Sequence, residues 1–385
     1  MKRVGCVVLV FVMIFALLPL SAGAAEQPNL QVPGKSALLM DVATGTVLFE
    51  ANSHEKLAPA SVTKVMTMLL IMEAIDSGRI GWNDTVTTSE TAAAKGGSQV
   101  YLKVGETMTV SEMVKSIAVS SANDCACAMA EHIAGSESAF VAMMNQRAQE
   151  LGMTDTHFVN CTGLDDSEEA KEHLTSAYDI ALMSRELMLH HPDIKQYTTI
   201  WMDTVRDGAF GLSNTNKLIR FYPGATGLKT GFTSAAGYCL SATAQRDGME
   251  LVAVVMGCET SQDRFGACKA MLDYGFANYA LVSPQLSGEL SVPVKLGKAQ
   301  EVAVEPGQSA ALLIDKAHKS SVTTDIQLDE NVTAPVSKGQ KLGMMTVRAG
   351  EQILLQAPMV AAAPVERLSY GDIFMQILRT VFLGK

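Results

Sequence analysis

The sequence predicts an α+β domain, in which an antiparallel sheet packs against a cluster of helices, then a small all-β domain and a C-terminal amphipathic helix. Three observations support this fold class. Two hairpin patterns lie far apart in the chain, mostly helical stretches fill the interval between them, and short apolar segments separated by turn residues follow near residue 290. Hairpins that bracket helices pair most simply into one sheet with the helices packed on it.

The first 24 residues predict a signal peptide. Lys2 and Arg3 precede an uncharged stretch at 4–20, and Ala22-Gly23-Ala24 supplies the small residues that a signal peptidase reads. The stretch is marginal as a retained transmembrane helix, which needs about 20 apolar residues. We therefore expect cleavage after Ala24 or Ala25 and an exported mature chain.

Composition excludes several classes of protein. The chain has 385 residues, 48% hydrophobic and 18% charged, so it is a folded protein with room for two domains. Forty acidic residues against 30 basic ones give a net charge of −10, which argues against a nucleic-acid partner. Seven cysteines are too few for a disulfide scaffold, and we assign them no role.

Local patterns predict the individual elements. Apolar residues around Ala43-Thr44-Gly45 indicate a hairpin from 36–41 and 46–50, and Arg246-Asp247-Gly248 joins a second one from 237–244 and 250–257. Helices are predicted between them at 61–76, 110–119, 123–134 and 137–151. The later segments are typical of a small β-sandwich or barrel, with strands at 290–294, 300–304, 309–314, 323–328, 341–347 and 352–355.

The C-terminus predicts an amphipathic helix. Apolar residues recur at helical spacing from 365 to 383, and charges interrupt any 20-residue apolar span. Such a helix lies on a membrane surface, although docking on the β-rich domain is an alternative. Pro358 and Pro364 flank an alanine-rich stretch that we interpret as a connector. The expected parts are a signal peptide at 1–24, a first domain at 25–282, a β-rich domain at 283–360 and the helix at 361–385.

Ser61 and Lys64 are the first candidate catalytic residues. They lie three positions apart at the start of a predicted helix, so their side chains share one face. The helix is apolar nearly all round after Lys64, and burial should lower the pKa of that amine. A neutral amine is a workable general base for a serine nucleophile. The spacing alone is common, and a capping Ser61 beside a solvated Lys64 is the simpler interpretation.

Two further motifs add to this pair. Ser121-Ala122-Asn123 falls in a turn between predicted helices, where a hydroxyl can relay a proton and an amide can hold a substrate carbonyl or the lysine. Lys229-Thr230-Gly231 directly precedes the second hairpin, where a strand edge offers a cation and a hydroxyl to a terminal carboxylate. Taken separately, a helix cap and an exposed strand lysine are the commoner explanations of the two motifs.

Together, in this order, the three motifs resemble those of the serine penicillin-recognising enzymes, whose domain is β-lactamase/transpeptidase-like. The chain is most similar to the low-molecular-weight penicillin-binding proteins that are D-alanyl-D-alanine carboxypeptidases of peptidase family S11, in the form found in spore-forming Gram-positive bacteria. Residues 160–164 resemble the family's Asn-Pro-His-Gly-Leu segment, and 173–179, 214–218 and 222–224 also match. Cys161 and Thr162 depart from the family pattern in a loop that we expect to be structural. The resemblance covers roughly 30–280.

The resemblance implies an acyl-enzyme mechanism that needs no metal and no cofactor. Ser61 would attack the carbonyl of the penultimate D-alanine in a peptidoglycan pentapeptide, with Lys64 as general base. Ser121 would relay a proton to the departing D-alanine, and Asn123 completes the catalytic set. Water would then hydrolyse the acyl-enzyme.

The resemblance also implies how ligands bind. Lys229, Thr230 and Gly231 would bind the terminal carboxylate, and the backbone N–H groups of Ser61 and Phe232 would form the oxyanion hole. Penicillin and other β-lactams would acylate Ser61. The expected location is the outer face of the cytoplasmic membrane, with the C-terminal helix on the membrane surface.

Two alternatives stay open at this point. A class A-like β-lactamase shares the three motifs but needs a water-activating glutamate, and Glu168, Glu169 and Glu172 lie in the right interval without the Glu-x-x-Leu-Asn setting. A non-catalytic wall protein with a penicillin-binding pocket would also share the motifs. A zinc carboxypeptidase is not favoured, because the seven histidines form no His-Glu-x-x-His pattern.

Overall fold

A computed structural model describes residues 30–284, 286, 288–307 and 311–383. The expected signal peptide at 1–24 lies outside the described residues. The helices are α1 Lys64–Asp76, α2 Glu90–Ala93, α3 Val110–Ser120, α4 Asn123–Ala134, α5 Glu137–Glu150, α6 Ala177–His190, α7 Lys195–Thr198, α8 Leu218–Phe221, α9 Ser261–Asn278 and α10 Tyr370–Leu383. The strands of the first half are β1 Ser36–Asp41, β2 Val47–Ala51, β3 Thr85–Thr87, β4 Thr107–Thr109, β5 Met202–Val205, β6 Phe210–Ser213, β7 Ala225–Thr233, β8 Gly237–Arg246 and β9 Met249–Cys258. The remaining strands are β10 Tyr279–Val282, β11 Ser291–Lys295, β12 Glu301–Pro306, β13 Leu312–Asp315, β14 Val322–Leu328, β15 Val332–Thr333, β16 Lys341–Ala349 and β17 Gln352–Ala361.

One antiparallel sheet joins the two ends of the first half of the chain. Its strand order is β2-β1-β9-β8-β7, so the early hairpin pairs with the late one through β1 and β9. Strand β7, which carries Lys229-Thr230-Gly231, lies at the edge of this sheet. The predicted α+β class and both predicted hairpins are confirmed.

Helix α1 lies in the middle of the helical cluster. All of its residues from Lys64 to Met72 are buried, which explains why its sequence is apolar nearly all round. It packs against α6, α4 and α3, and a 3-10 turn at Ala60–Thr63 leads into it. The turn places Ser61 at the edge of the core and the following lysine inside it.

Helix α9 is not among the helices predicted from the sequence, and it packs on β8 and β9. Its buried face contains glycine: a Cβ at Gly275 would lie 2.4 Å from Leu251 and 3.2 Å from Leu39. Gly275 therefore allows helix and sheet to approach closely, while Met271, Leu272 and Phe276 of the same face are buried beside it. A capping box between Thr260 and Asp263 marks its start.

The later strands form a second core around a six-stranded sheet of order β14-β16-β17-β12-β11-β15. Strand β17 contains Pro358, and its Met359 is buried in this core. Val365 is buried there too and forms a bridge with Val336. The interpretation of 358–364 as a detachable connector is therefore wrong, because most of it is strand and Val365, directly after it, is packed in the core.

Helix α10 begins at Tyr370, five residues later than the apolar pattern suggests. Its exposed apolar side chains include Tyr370, Phe374, Ile377 and Val381. Within the described residues, no helix combines the length and the apolar character that spanning a membrane requires.

Candidate active site

Ser61 and Lys64 are brought together at the start of α1. Lys64 Nζ donates a hydrogen bond of 2.9 Å to Ser61 Oγ. The preceding residue, Ala60, has a left-handed φ of 48°. Strand β7 passes so close to this turn that a Cβ at Gly231 would lie 2.6 Å from the carbonyl oxygen of Pro59. Glycine in the third motif is thus required for the strand to reach the serine turn.

Burial lowers the pKa of Lys64 to about 7, and the neighbouring Cys161 and Asp124 oppose this only in part. The amine is fully buried and donates a second hydrogen bond, of 2.7 Å, to the carbonyl oxygen of Thr162. A large share of the molecules therefore carries a neutral amine near pH 7. That amine can accept the proton of the serine hydroxyl.

The loop at 159–163 belongs to the site. Its Thr162 carbonyl accepts the hydrogen bond from Lys64 described above. Its Gly163 has a φ of 80° and packs on the serine turn, where a Cβ on this glycine would lie 1.8 Å from the carbonyl oxygen of Ala60. The backbone of this loop therefore holds the Lys64 amine in place. The contact between Thr162 and Lys64 joins residues 98 positions apart, and no local pattern in the sequence signals it.

Ser121 follows the last residue of α3 and Asn123 is the first residue of α4, at the predicted junction of the two helices. Ser121 has a left-handed φ of 63° and ends α3. Asn123 donates from Nδ2 to the carbonyl oxygen of Gly96 at 2.7 Å. Its Oδ1 and the Oγ of Ser121 are buried, and neither has a hydrogen-bond partner among the described residues. A buried oxygen without a hydrogen-bond partner costs folding free energy, and a hydrogen bond to a substrate or to water would recover that cost. Both atoms are available for such a bond.

Lys229 is buried rather than exposed. Burial holds its pKa well below the usual value, and the positive charges of Lys64 and Arg264 lower it further. The two motif lysines therefore share one site. The neighbouring Thr230 donates from its hydroxyl to Thr215 Oγ1 at 2.7 Å. A carboxylate that arrives here would find the Lys229 amine and the Thr230 hydroxyl and would favour the charged form of Lys229.

Sequence reasoning missed Arg264 because it missed helix α9. This arginine is buried and donates from Nη1 to the carbonyl oxygens of Gly231 at 2.9 Å and Cys239 at 3.4 Å. It therefore supports, from behind, the strand that carries the Lys-Thr-Gly motif. Phe232 follows in this strand, with 52% of its surface exposed and its ring stacked on Tyr238 at 4.3 Å between centroids.

A cavity of about 610 Å³ has a lining that includes none of the motif residues. It lies against Ala58, three residues before Ser61, and against Ala235, just after β7. Glu168 lies at its rim, exposed and paired with Lys171 at 2.5 Å, a setting unlike that of a buried water-activating base.

The described residues contain no group of three or more histidine, cysteine, aspartate or glutamate side chains that could hold a metal ion. The six cysteines that the structure describes are all free thiols. The site can therefore support nucleophilic attack by a serine with a lysine as its base. The pair lies at the start of the buried helix α1, beside the edge strand β7. This arrangement defines a serine acyl-transfer enzyme.

Comparison with known proteins identifies the family. Residues 22–260 match the family model of D-alanyl-D-alanine carboxypeptidases, peptidase S11, and residues 286–367 match the C-terminal domain of penicillin-binding protein 5. D-alanyl-D-alanine carboxypeptidase DacF of Bacillus subtilis is 42% identical over 380 residues, which are 96% of each chain. DacC of Escherichia coli is 32% identical over 362 residues, which are 90% of this chain and 88% of that one.

Solved structures agree with this assignment. Penicillin-binding protein 5 from Haemophilus influenzae superposes with a TM-score of 0.74 at 29% identity, over 88% of this chain and 99% of that one. Penicillin-binding protein D2 from Listeria monocytogenes, in its ampicillin-bound form, has a TM-score of 0.59 at 31% identity, over 65% of this chain and 100% of that one.

The chain belongs to the D-alanyl-D-alanine carboxypeptidase family, peptidase S11. It is a serine-type carboxypeptidase, a hydrolase of the penicillin-binding protein class. The family acts on peptidoglycan and binds β-lactams, which implies that the chain is exported to the cell-wall side.

Proposed function

We propose that this protein removes the terminal D-alanine from peptidoglycan pentapeptides through an acyl-enzyme on Ser61. The observation that carries the proposal is the contact of 2.9 Å between Lys64 Nζ and Ser61 Oγ, with the pKa of Lys64 at about 7. At neutral pH, Lys64 takes the hydroxyl proton as Ser61 attacks the penultimate D-alanine carbonyl. A new ester bond forms on Ser61 Oγ, and the peptide bond to the terminal D-alanine breaks.

The Ser121-Ala122-Asn123 motif delivers the proton that the departing D-alanine needs. Ser121 Oγ, buried and free of a partner within the described chain, passes a proton to the leaving amine. Asn123 Oδ1 is also free and binds a polar group of the substrate. Water then hydrolyses the acyl-enzyme with the same base.

Substrate selection depends on the edge strand. Lys229 and Thr230 bind the terminal carboxylate, and Gly231 allows the peptide to lie against the strand. The backbone N–H groups of Ser61 and Phe232 form the oxyanion hole. Because burial disfavours the ammonium form of Lys229, binding of the carboxylate is coupled to uptake of a proton by this lysine. Penicillin, whose ring also carries a carboxylate, enters the same site.

We also propose that the protein works at the outer face of the cytoplasmic membrane. Residues 25–282 act as the carboxypeptidase domain, 283–360 as a β-rich spacer, and α10 as a surface anchor. The exposed apolar side chains of α10, such as Phe374 and Ile377, support insertion into a membrane interface. A membrane surface is thus the third partner, after peptidoglycan stems and β-lactams.

Fluorescent penicillin tests the proposal. Wild-type protein is labelled, digested and mapped, and the label is expected on the peptide that contains Ser61. Ser61→Ala is expected to lose both labelling and release of D-alanine from a pentapeptide. Stoichiometric labelling of Ser61→Ala, or a label mapped to another residue, overturns the assignment.

A further inference from the structure

His173 is a buried histidine that the proposed mechanism does not use. Its Nδ1 accepts the backbone N–H of Val159 at 3.0 Å. The ring proton of the neutral imidazole therefore lies on Nε2, which donates to Thr63 Oγ1 at 2.8 Å. The Thr63 hydroxyl in turn donates to the carbonyl oxygen of Ala60 at 2.8 Å. Each donor in this series of three hydrogen bonds has an acceptor, so the direction of every one of them is fixed.

This relay joins the two sides of the catalytic pair. On one side, Thr63 and Ala60 belong to the 3-10 turn that carries Ser61. On the other side, Val159 belongs to the loop whose Thr162 carbonyl accepts from Lys64 at 2.7 Å. One imidazole thus connects the backbone that holds the nucleophile with the backbone that holds the base.

We infer that His173 is a positioning residue that sets the distance between Ser61 and Lys64, acting through Thr63. The inference rests on the proposed roles of Ser61 and Lys64. Without these hydrogen bonds, His173 no longer links the Ala60 carbonyl to the 159–163 loop. The distance between Ser61 Oγ and Lys64 Nζ is then no longer held at its reactive value. A misplacement of about 1 Å in such a pair can reduce the rate about 100-fold, although substrate binding is untouched.

The relay requires a neutral ring. A protonated imidazole would turn Nδ1 into a donor that faces the Val159 N–H. Burial, aided by the nearby charges of His157 and Lys64, lowers the pKa of His173 to about 4. The relay is therefore intact throughout the neutral range and fails only in acid.

The test replaces the relay hydroxyl without changing its shape. Thr63→Val removes the link, and Thr63→Ser keeps it. Thr175→Val is the matched control, because Thr175 is equally buried and loses a hydroxyl contact of 2.7 Å, to Thr156, that does not reach the serine turn. His173→Ala completes the set if it folds, as judged by circular dichroism.

The readouts are kcat and KM for D-alanine release, the acylation rate with penicillin, and its pH profile. Thr63→Val is expected to lower kcat and the acylation rate about 10- to 100-fold with little change in KM, and Thr63→Ser is expected to restore both. Equal rates for Thr63→Val and Thr175→Val overturn the inference. If penicillin does not label Ser61 in the wild type, the proposed function fails instead, so the two failures are distinguishable.

Discussion

Gly163 packs against Ala60 so closely that no side chain fits between them. A Cβ on Gly163 would lie 1.8 Å from the Ala60 carbonyl oxygen, and the glycine has a φ of 80°. Ala60 itself is left-handed and precedes Ser61. The nucleophile turn is thus shaped by a loop about a hundred residues away in the sequence.

Gly163→Ala is therefore expected to damage both stability and activity. A left-handed alanine costs about 1 kcal/mol, and the clash with Ala60 adds to this. Gly152→Ala is the matched control, because Gly152 has a φ of 74° and open space around it. Thermal unfolding should show a larger loss for Gly163→Ala, and penicillin labelling should fall only in that variant. Similar behaviour of the two variants would contradict the role of the contact.

Acylation is expected to depend on pH through Lys64. The pKa of this lysine is lowered to about 7, so the base is charged and inactive below pH 7 and becomes neutral above it. The second-order rate of penicillin acylation should rise through about pH 7 and level off above it. A stopped-flow series from pH 5 to 9 measures this. A rate that keeps rising steeply to pH 9 without levelling off would show that Lys64 keeps an ordinary pKa.

Lys229→Ala is expected to weaken recognition of the substrate's terminal carboxylate. Loss of a charge-assisted hydrogen bond is worth about 1.5–3 kcal/mol, which is roughly a 10- to 100-fold fall in kcat/KM. The control is a substrate with an amidated C-terminus. It should be poor for the wild type and scarcely worse for the variant, whereas equal penalties on both substrates would argue against this role.

The parts of the molecule that are local in sequence are the predictable ones. The hairpins, the helices after Ser61 and the approach of Ser61 to Lys64 follow from spacings of a few residues. The contacts from Thr162 to Lys64 and from Arg264 to Gly231 span 98 and 33 positions, and only the tertiary fold creates them. Helix α9 is different: its buried Met271, Leu272 and Phe276 recur at helical spacing, so the local pattern is present, although the helix is not among those predicted.

The start of the C-terminal helix is also set by tertiary contacts that the local sequence pattern does not show. Apolar spacing alone runs from 365 to 383 without a break. The fold divides this run, because Val365 pairs with Val336 through two backbone hydrogen bonds of 2.9 Å, and the Leu368 N–H donates to the Leu296 carbonyl at 2.8 Å. Only the part from Tyr370 onwards is a helix with exposed apolar residues.

Two truncations separate anchoring from folding. Deletion of 370–385 removes α10 and is expected to move active, penicillin-binding protein from the membrane to the soluble fraction, because the apolar face that we propose inserts into the interface is gone. Deletion of 365–385 also removes buried Val365 and its bridge, so it is expected to lower the melting temperature of the β-rich core as well. Sedimentation with lipid vesicles, penicillin labelling and thermal unfolding measure these effects. If the protein lacking 370–385 still sediments with vesicles, or is as unstable as the one lacking 365–385, α10 is not a separate anchor.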